Sequence, residues 1–189
     1  GAIAILIFFL IVAPPFRSAE SIATVLYASS TIGIMACGVA VLMIGGEFDL
    51  SPGVAVTFSS LMASMLAYNL HLNVWLGAVL ALGLALAVGF FNGYLVMKTK
   101  IPSFLFTLST FLMLAGINLA VTKLVTGQVA TPSISDMQGF DSAQKVFASS
   151  FSVFGVDIRI TVIWWILFTL IATYVLMRTR VGNWFFAVG

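Results

Sequence analysis

The chain has 189 residues, of which 61% are hydrophobic and only 7% are charged, and its mean hydropathy is +1.17. Soluble domains carry about 25% charged residues, so this composition excludes a large soluble core and predicts a membrane protein that crosses the bilayer several times. The net charge of +2 is too small to suggest nucleic-acid binding. Because the chain has a single cysteine and a single histidine, we expect no disulfide framework, no metal site and no cofactor.

The first two apolar segments differ in length. Residues 1–13 are fewer than the ~20 needed to cross a bilayer, so we interpret them as a truncated first span, ended by two prolines. Residues 22–44 make a full second span. Small residues recur at every fourth position in it, a pattern that allows close helix packing. These small residues are Ser29, Gly33 and Cys37.

A stretch of nine residues then interrupts the apolar sequence. It reads Gly45-Gly46-Glu47-Phe48-Asp49-Leu50-Ser51-Pro52-Gly53. The two leading glycines should stop the second span, since glycine accepts the left-handed conformation found at helix ends. Asp49 or Ser51 should cap the third span, with Pro52 at its first helical position. The sequence leaves open whether this break lies at a membrane surface or inside the membrane.

The third and fourth spans cover residues 51–70 and 74–97. In the fourth span, five small residues fall at strict four-residue spacing: Gly77, Ala81, Ala85, Gly89 and Gly93. We interpret this stripe as a surface that packs against a neighbouring helix. The less favoured alternative is that it lines a substrate path.

The fifth span, residues 101–122, is amphipathic. At 100° per residue, its polar side chains share one face: Ser103, Thr107, Thr110 and Asn118. Serine and threonine can bond to their own helix backbone, but that explanation predicts no clustering. Two interpretations remain open, a polar substrate path and a polar seam between helices.

Residues 123–159 form the only long polar segment, and residues 160–177 form the sixth span. Within the polar segment, helical spacing suggests a short interfacial helix, and a solvated loop is the alternative. The residues with this spacing are Ala143, Phe147, Phe151 and Phe154.

The predicted fold is an all-α, polytopic transmembrane bundle of about six spans. With six spans, four basic residues fall on one side: Lys98, Lys100, Arg178 and Arg180. Basic residues in short loops favour the cytoplasm, so we place them there and predict residues 123–159 to be an extracytoplasmic loop. No phosphate-binding loop is present, and no acidic or basic residue lies inside the spans. Energy for transport must then come from a partner, or transport must be passive.

Three blocks of sequence, in order, resemble the ribose-type sugar ABC transporter permeases. The first is the break, which is similar to that family's Gly-Gly-x-Asp-Leu-Ser-x-Gly signature at Gly45, Gly46, Asp49, Ser51 and Gly53. The second is Asn92-Gly93, followed by Lys100-Ile101-Pro102-Ser103-Phe104 and Thr107-Leu108. The third is Arg178-Thr179-Arg180-Val181-Gly182-Asn183, leading to Ala187-Val188-Gly189. The first block departs from the family in having Glu47-Phe48 for one residue and Pro52 for a common valine.

The resemblance implies a permease subunit of a bacterial ABC importer in the inner membrane, not an enzyme. It would pass a simple sugar delivered by a periplasmic substrate-binding protein. Its partners would be a cytoplasmic ATP-binding subunit, a second permease chain, identical or different, and membrane lipid. Residues 1–189 would form one incomplete transmembrane permease domain, the N-terminal portion of such a protein, with the ATPase-docking segment mainly beyond Gly189.

Two alternatives stay open. One is a branched-chain amino acid ABC permease, a related branch that we expect to lack the Lys-Ile-Pro-Ser-Phe block. The other is a self-contained carrier or channel, which would need no ATPase.

Overall fold

The computed structural model describes residues 1–153 and 155–189, and most of these residues are helical. The helices are α1 (Ala2–Val12), α2 (Ala19–Ile44), α3 (Pro52–Asn69), α4 (Val74–Thr99), α5 (Ser103–Thr126), α6 (Phe140–Phe147), α7 (Thr161–Arg178) and α8 (Arg180–Val188). A 3-10 turn, Pro14–Arg17, follows α1, and an antiparallel hairpin joins β1 (Ser150–Val153) to β2 (Val156–Arg159).

Four helices in the described part of the chain are long and apolar enough to cross a membrane: α2, α4, α5 and α7. The prediction of a helical membrane protein is therefore confirmed, whereas the count of about six spans is not. Helix α1 has only 11 residues. Helix α3 has 18 residues and no charge, but it is rich in serine and alanine and holds more buried residues than its neighbours do. A helix packed mainly on protein needs fewer apolar residues than one surrounded by lipid.

The all-α class holds for the bundle, but the polar segment contains a short hairpin beside its helix. Helix α6 includes Ala143 and Phe147 of the predicted interfacial helix, but Phe151 lies in β1. Phe154 lies outside the described residues. The helical spacing fails because the chain leaves the helix at Ala148 and turns back through Gly155, whose φ of +79° favours glycine.

The long helices pack in two groups. Helix α3 packs along α4 and α5, and we call these three the α3–α5 group. Helix α2 packs along α7, and α8 packs against both. These three helices, α2, α7 and α8, form the second group, which we name the α2–α7 group after its two long members.

The small-residue stripe of α2 is the surface that contacts α7. The indole ring of Trp165 lies so close to Gly33 that any Cβ added there would overlap it. One turn further along, the Cys37 Sγ and Thr169 Oγ1 atoms are 3.2 Å apart and hydrogen-bonded. The predicted packing role of this stripe is therefore confirmed.

The two ends of the bundle carry different features. We call one end the break end. It holds the residues between α2 and α3, the α4–α5 connection and α8, and Phe185 of α8 lies against Gly45. The other end, the hairpin end, holds the α3–α4 turn and residues 127–160, and the Val74 N–H donates to the Gln138 carbonyl (3.0 Å). The four basic residues predicted to share a side flank the α4–α5 connection and α8, at the break end.

Candidate functional site

Helix α2 ends in a Schellman motif, as two linked hydrogen bonds show. The Gly46 N–H donates to the Met43 carbonyl (3.1 Å), and the Glu47 N–H donates to the Leu42 carbonyl (3.3 Å). Gly46 has a φ of +81°, a conformation that costs a residue with a Cβ roughly 1 kcal/mol or more. The predicted helix stop at Gly45 and Gly46 is confirmed.

The backbone between α2 and α3 is irregular, and side chains supply its hydrogen-bond partners. Irregular backbone at membrane depth must be satisfied inside the protein, because lipid offers no partner. Three N–H groups are paired in this way: Phe48 N–H with Ser103 Oγ (3.1 Å), Leu50 N–H with Thr107 Oγ1 (3.2 Å) and Ser51 N–H with Asp49 Oδ1 (2.7 Å). Two polar residues of α5 therefore hold the break in place.

Asn92 joins all three helices of the α3–α5 group. Its side chain is 4% exposed; the amide nitrogen donates to Ser51 Oγ (2.9 Å), and the amide oxygen accepts from Thr110 Oγ1 (2.8 Å). Sequence reasoning included Asn92 only as part of a family block. The available signal was that it is the one amide side chain within an otherwise apolar span.

The predicted cap of α3 is wrong in its bonding. Pro52 is indeed the first helical residue, but no side chain caps the helix. Ser51 already has helical backbone angles, φ −73° and ψ −20°, whereas a capping residue is normally extended. Its hydroxyl accepts from Asn92 instead, and Asp49 accepts from the N–H of Ser51 itself. Gly53 is exposed, and a Cβ added there would meet no atom within 4 Å.

A cavity of about 410 Å³ lies between the break, α2, α4 and α5. Helix α2 contributes Gly38 to its wall, and α4 contributes Gly89 and Gly93. A Cβ at any of these three glycines would meet no atom within 4 Å, so these glycines border open space. Of the small stripe on α4, Gly77 contacts Ala67 of α3, whereas the part near the break borders the cavity. The packing interpretation therefore holds at Gly77, whereas Gly89 and Gly93 border the cavity.

Most of the cavity wall is apolar, and its polar edge lies at the break. Glu47 and Asp49 line it, together with Ser103 and Thr107 of α5. The arrangement offers carboxylate and hydroxyl oxygens beside an apolar surface. Such a wall can hydrogen-bond a small polar solute.

The structure brings together three of the four polar residues predicted on α5. Ser103 and Thr107 contact the break and line the cavity, and Thr110 bonds to Asn92. Asn118 lies about two turns beyond Thr110 and does not line the cavity. Its side-chain oxygen is buried without a hydrogen-bond partner in the described residues, as is the Thr122 hydroxyl one turn later.

The fold and the site together define a multi-pass membrane protein with irregular backbone between two helices, beside a cavity. The chain belongs to the permease family described as "Branched-chain amino acid transport system / permease component", whose family model matches residues 21–189.

Several curated proteins that the chain resembles are named as sugar permeases. The chain is 29% identical over 179 residues to the ribose import permease protein of Haemophilus influenzae, which covers 93% of this chain and 51% of that protein. It is 24% identical over 189 residues to the fructose import permease protein of Rhizobium meliloti, covering 99% of this chain and 51% of that protein. A xylose transport system permease protein of Haemophilus influenzae is 32% identical over 133 residues, 66% of this chain and 34% of that protein.

The chain thus spans about half the length of the curated relatives that it matches over most of its own length. No solved structure matches it.

Proposed function

We propose that the protein is the membrane-spanning permease subunit of an ABC importer and that it passes a simple sugar. The observation that carries this proposal is the similarity over more than nine-tenths of the chain to permeases named for ribose and fructose import. The break and its polar edge lie within the matched residues, beside a cavity large enough for a monosaccharide.

The proposed substrate path runs through this cavity, between α2 and α4, with Ser103 and Thr107 on its wall. Thr110 supports it through Asn92, and Asn118 would extend it towards the hairpin end. In support, the polar side chains lie on the side of α5 that faces protein, whereas Leu112, on the opposite side, is 63% exposed.

The proposed assembly contains a cytoplasmic ATP-binding subunit, a periplasmic substrate-binding protein and a second permease chain, in the inner membrane of a bacterium. Residues 1–189 contribute about six spans to it, counting α3 and the short α1 as membrane helices. The break end, with its four basic residues, faces the cytoplasm, and residues 123–159 face outside. ATP hydrolysis belongs to the partner subunit.

The topology can be tested with single cysteines in a Cys37→Ala background. Thr99 lies at the break end and Ser135 at the hairpin end, and both are exposed. Cysteine at position 135 should react with an impermeant thiol reagent added outside, and cysteine at position 99 should react only after the membrane is opened. External labelling at position 99 would reverse the proposed orientation.

The function is tested by uptake into proteoliposomes that hold the full-length protein and the ATP-binding subunit encoded beside it, with the binding protein added. Labelled ribose, xylose and fructose should be tried beside leucine. ATP-dependent accumulation of a sugar supports the proposal. Accumulation of leucine alone would favour the second candidate, a branched-chain amino acid permease, which the family description supports. Uptake without ATP would indicate a carrier or channel.

Substitutions on α5 test the path. Thr107→Leu and Asn118→Leu should lower uptake at least fivefold, whereas Leu112→Ala, on the exposed side, should change it less than twofold. Thermal stability of each variant in detergent serves as the control for folding. If substitutions on the two sides of α5 lower uptake equally, the polar face of α5 does not line the substrate path.

Docking of the ATPase is tested with two lengths of chain. The full-length protein should co-purify with the ATP-binding subunit, and residues 1–189 alone should not, because the short α4–α5 connection cannot bury the roughly 1,200 Å² of a stable interface. If residues 1–189 alone retain the ATP-binding subunit, the docking surface lies on α8 or on the α4–α5 connection.

A further inference from the structure

Helix α6 contacts the α3–α5 group through the first residues of α4. The indole N–H of Trp75 donates to Ser142 Oγ (2.8 Å), and the Trp75 ring lies 5.6 Å from the Phe147 ring, centroid to centroid. The backbone just before α6 adds a third contact, since Gln138 accepts from the N–H of Val74 (3.0 Å). Both polar and aromatic contacts therefore join α6 to α4.

The same short helix contacts the α2–α7 group on its other side. The indole N–H of Trp164, in the first turn of α7, donates to the Val146 carbonyl (2.9 Å). The rings of Phe147 and Trp164 are stacked, with centroids 6.1 Å apart and planes at 26°. Phe147 therefore lies between two tryptophans, one from each group of helices.

These contacts make α6 a brace across the hairpin end. The chain joins the two groups covalently at both ends, through residues 45–51 at the break end and through residues 127–160 at the hairpin end. Within the hairpin-end link, α6 also contacts Trp75 of α4 and Trp164 of α7 non-covalently, and these contacts can be made and broken without unfolding a helix. Residues 127–139 form neither a helix nor a strand, so a shift of α6 would break no regular structure in this part of the chain.

We propose that α6 is a gate at the hairpin end, with the Trp75–Phe147–Trp164 stack as its latch. With the latch closed, the two helix groups are held together at this end while the cavity is accessible from the break end. Release of α6 from either tryptophan separates α4 from α7 and lets substrate reach the cavity from the hairpin end. This inference rests on the proposed transport function, because a gate has meaning only along a path.

The test measures the distance between the two groups in the full-length protein by double electron–electron resonance. Spin labels are attached at Leu70→Cys and Ile163→Cys, two exposed positions at the hairpin end, in a Cys37→Ala background. The labelled protein without further substitutions should give one dominant distance between positions 70 and 163. Ser142→Ala removes the bond from Trp75 and also a local bond from Ser142 Oγ to the Gly139 carbonyl (2.8 Å). Because only the first of these joins α6 to α4, the fraction of a longer distance should rise about fivefold, the equivalent of one such bond. Phe147→Ala should raise it further.

Two controls separate a latch from general loosening. Trp165→Phe alters a tryptophan next in sequence to Trp164 that faces Gly33 rather than α6, so it should leave the distance unchanged. A second label pair, at Met43 and Met97 of the break end, should not report the longer distance in Ser142→Ala. A change in either control would overturn the gate, because the effect would then not be specific to α6.

The complete transporter supplies the decisive comparison. Loaded binding protein together with a non-hydrolysable ATP analogue should produce the same longer distance without any substitution. A distance that stays constant through these states, or that does not respond to Ser142→Ala and Phe147→Ala, would show that α6 is a fixed cover. Absence of sugar uptake by the unmodified protein would instead overturn the proposed function, and the label distances would still report whether the latch opens.

Discussion

The two helix groups are held together by different kinds of contact. In the α3–α5 group, side-chain hydrogen bonds converge on Asn92 and on the break, so polar atoms fix the relative positions of three helices. In the α2–α7 group, a glycine allows a tryptophan ring to lie directly on the helix backbone, and polar contacts are few.

The difference follows from what each group must contain. The α3–α5 group includes irregular backbone, which needs donors and acceptors nearby, whereas α2 and α7 satisfy their own backbone and need only close approach. Substitutions in the α3–α5 group should therefore lower stability by leaving polar atoms unpaired. Substitutions in the α2–α7 group should lower it by changing side-chain volume.

The largest effect is expected for Gly33→Val. Any side chain at this position overlaps the indole of Trp165 and pushes α2 away from α7. We expect a loss of about 3 kcal/mol in the free energy of unfolding, the upper part of the range for overpacking, measured by steric trapping in bicelles. Trp165→Ala in the same chain should restore part of the loss. Gly38→Ala, on the same helix but with open space around it, is the matched control and should cost nothing.

Asn92→Leu should be the most damaging polar substitution in the α3–α5 group. It leaves the buried Ser51 side chain without its partner and the Thr110 hydroxyl with only its bond to the Phe106 carbonyl (3.3 Å). We expect a cost of about 2 kcal/mol in the free energy of unfolding. Because Thr110→Val removes only one of the two bonds to Asn92, it should cost about half as much. If Asn92→Leu is as stable as the unmodified chain, polar contacts do not hold this group together.

Thr107→Val tests the connection between α5 and the break. It keeps the side-chain volume but leaves the Leu50 N–H without its acceptor, so we expect a loss of about 1 kcal/mol and faster amide hydrogen exchange at Leu50. The control is Ser109→Ala, two residues along the same helix, where the hydroxyl bonds only to its own helix. Unchanged exchange at Leu50 would mean that another group satisfies this N–H.

Cys37→Ala should have the smallest effect. Its sulfur contacts Thr169, but Thr169 keeps a hydrogen bond to the Trp165 carbonyl (2.8 Å) when the thiol is removed. We expect a change below about 0.5 kcal/mol in the same unfolding measurement, so this variant is a suitable background for labelling. A larger loss would show that the α2–α7 group depends on polar contacts after all.

Most helix positions follow from the sequence because long apolar runs between glycine, proline and charged residues leave few alternatives. The ends of α2 and α4 lie within three residues of the predicted ends. The hairpin was not predicted, because the aromatic spacing in residues 143–154 fits a helix as well as a strand pair. Helix α8 was not predicted either, since nine residues are too few for periodicity to be decisive.

The candidate site was predicted in part. The clustering of Ser103, Thr107 and Thr110 on one face of α5 was visible in the sequence, because a helix repeats every 3.6 residues. Their partners were not visible. The Phe48 and Leu50 N–H groups lie 55 and 57 residues away along the chain, and Asn92 lies 18 residues away.

The sequence by itself determined that this is a helical membrane protein, where α2 stops and which permease family the chain resembles. Composition, the positions of glycines and the order of motifs are properties of the sequence, and they can be interpreted without knowing which residues are in contact. Only the tertiary structure decided that Ser51 bonds to Asn92 rather than capping α3, that Gly33 lies under Trp165 while Gly89 borders a cavity, and that α6 joins the two groups. These outcomes depend on which surfaces meet in space, and helices with similar apolar patterns do not specify their neighbours until their side chains pack together.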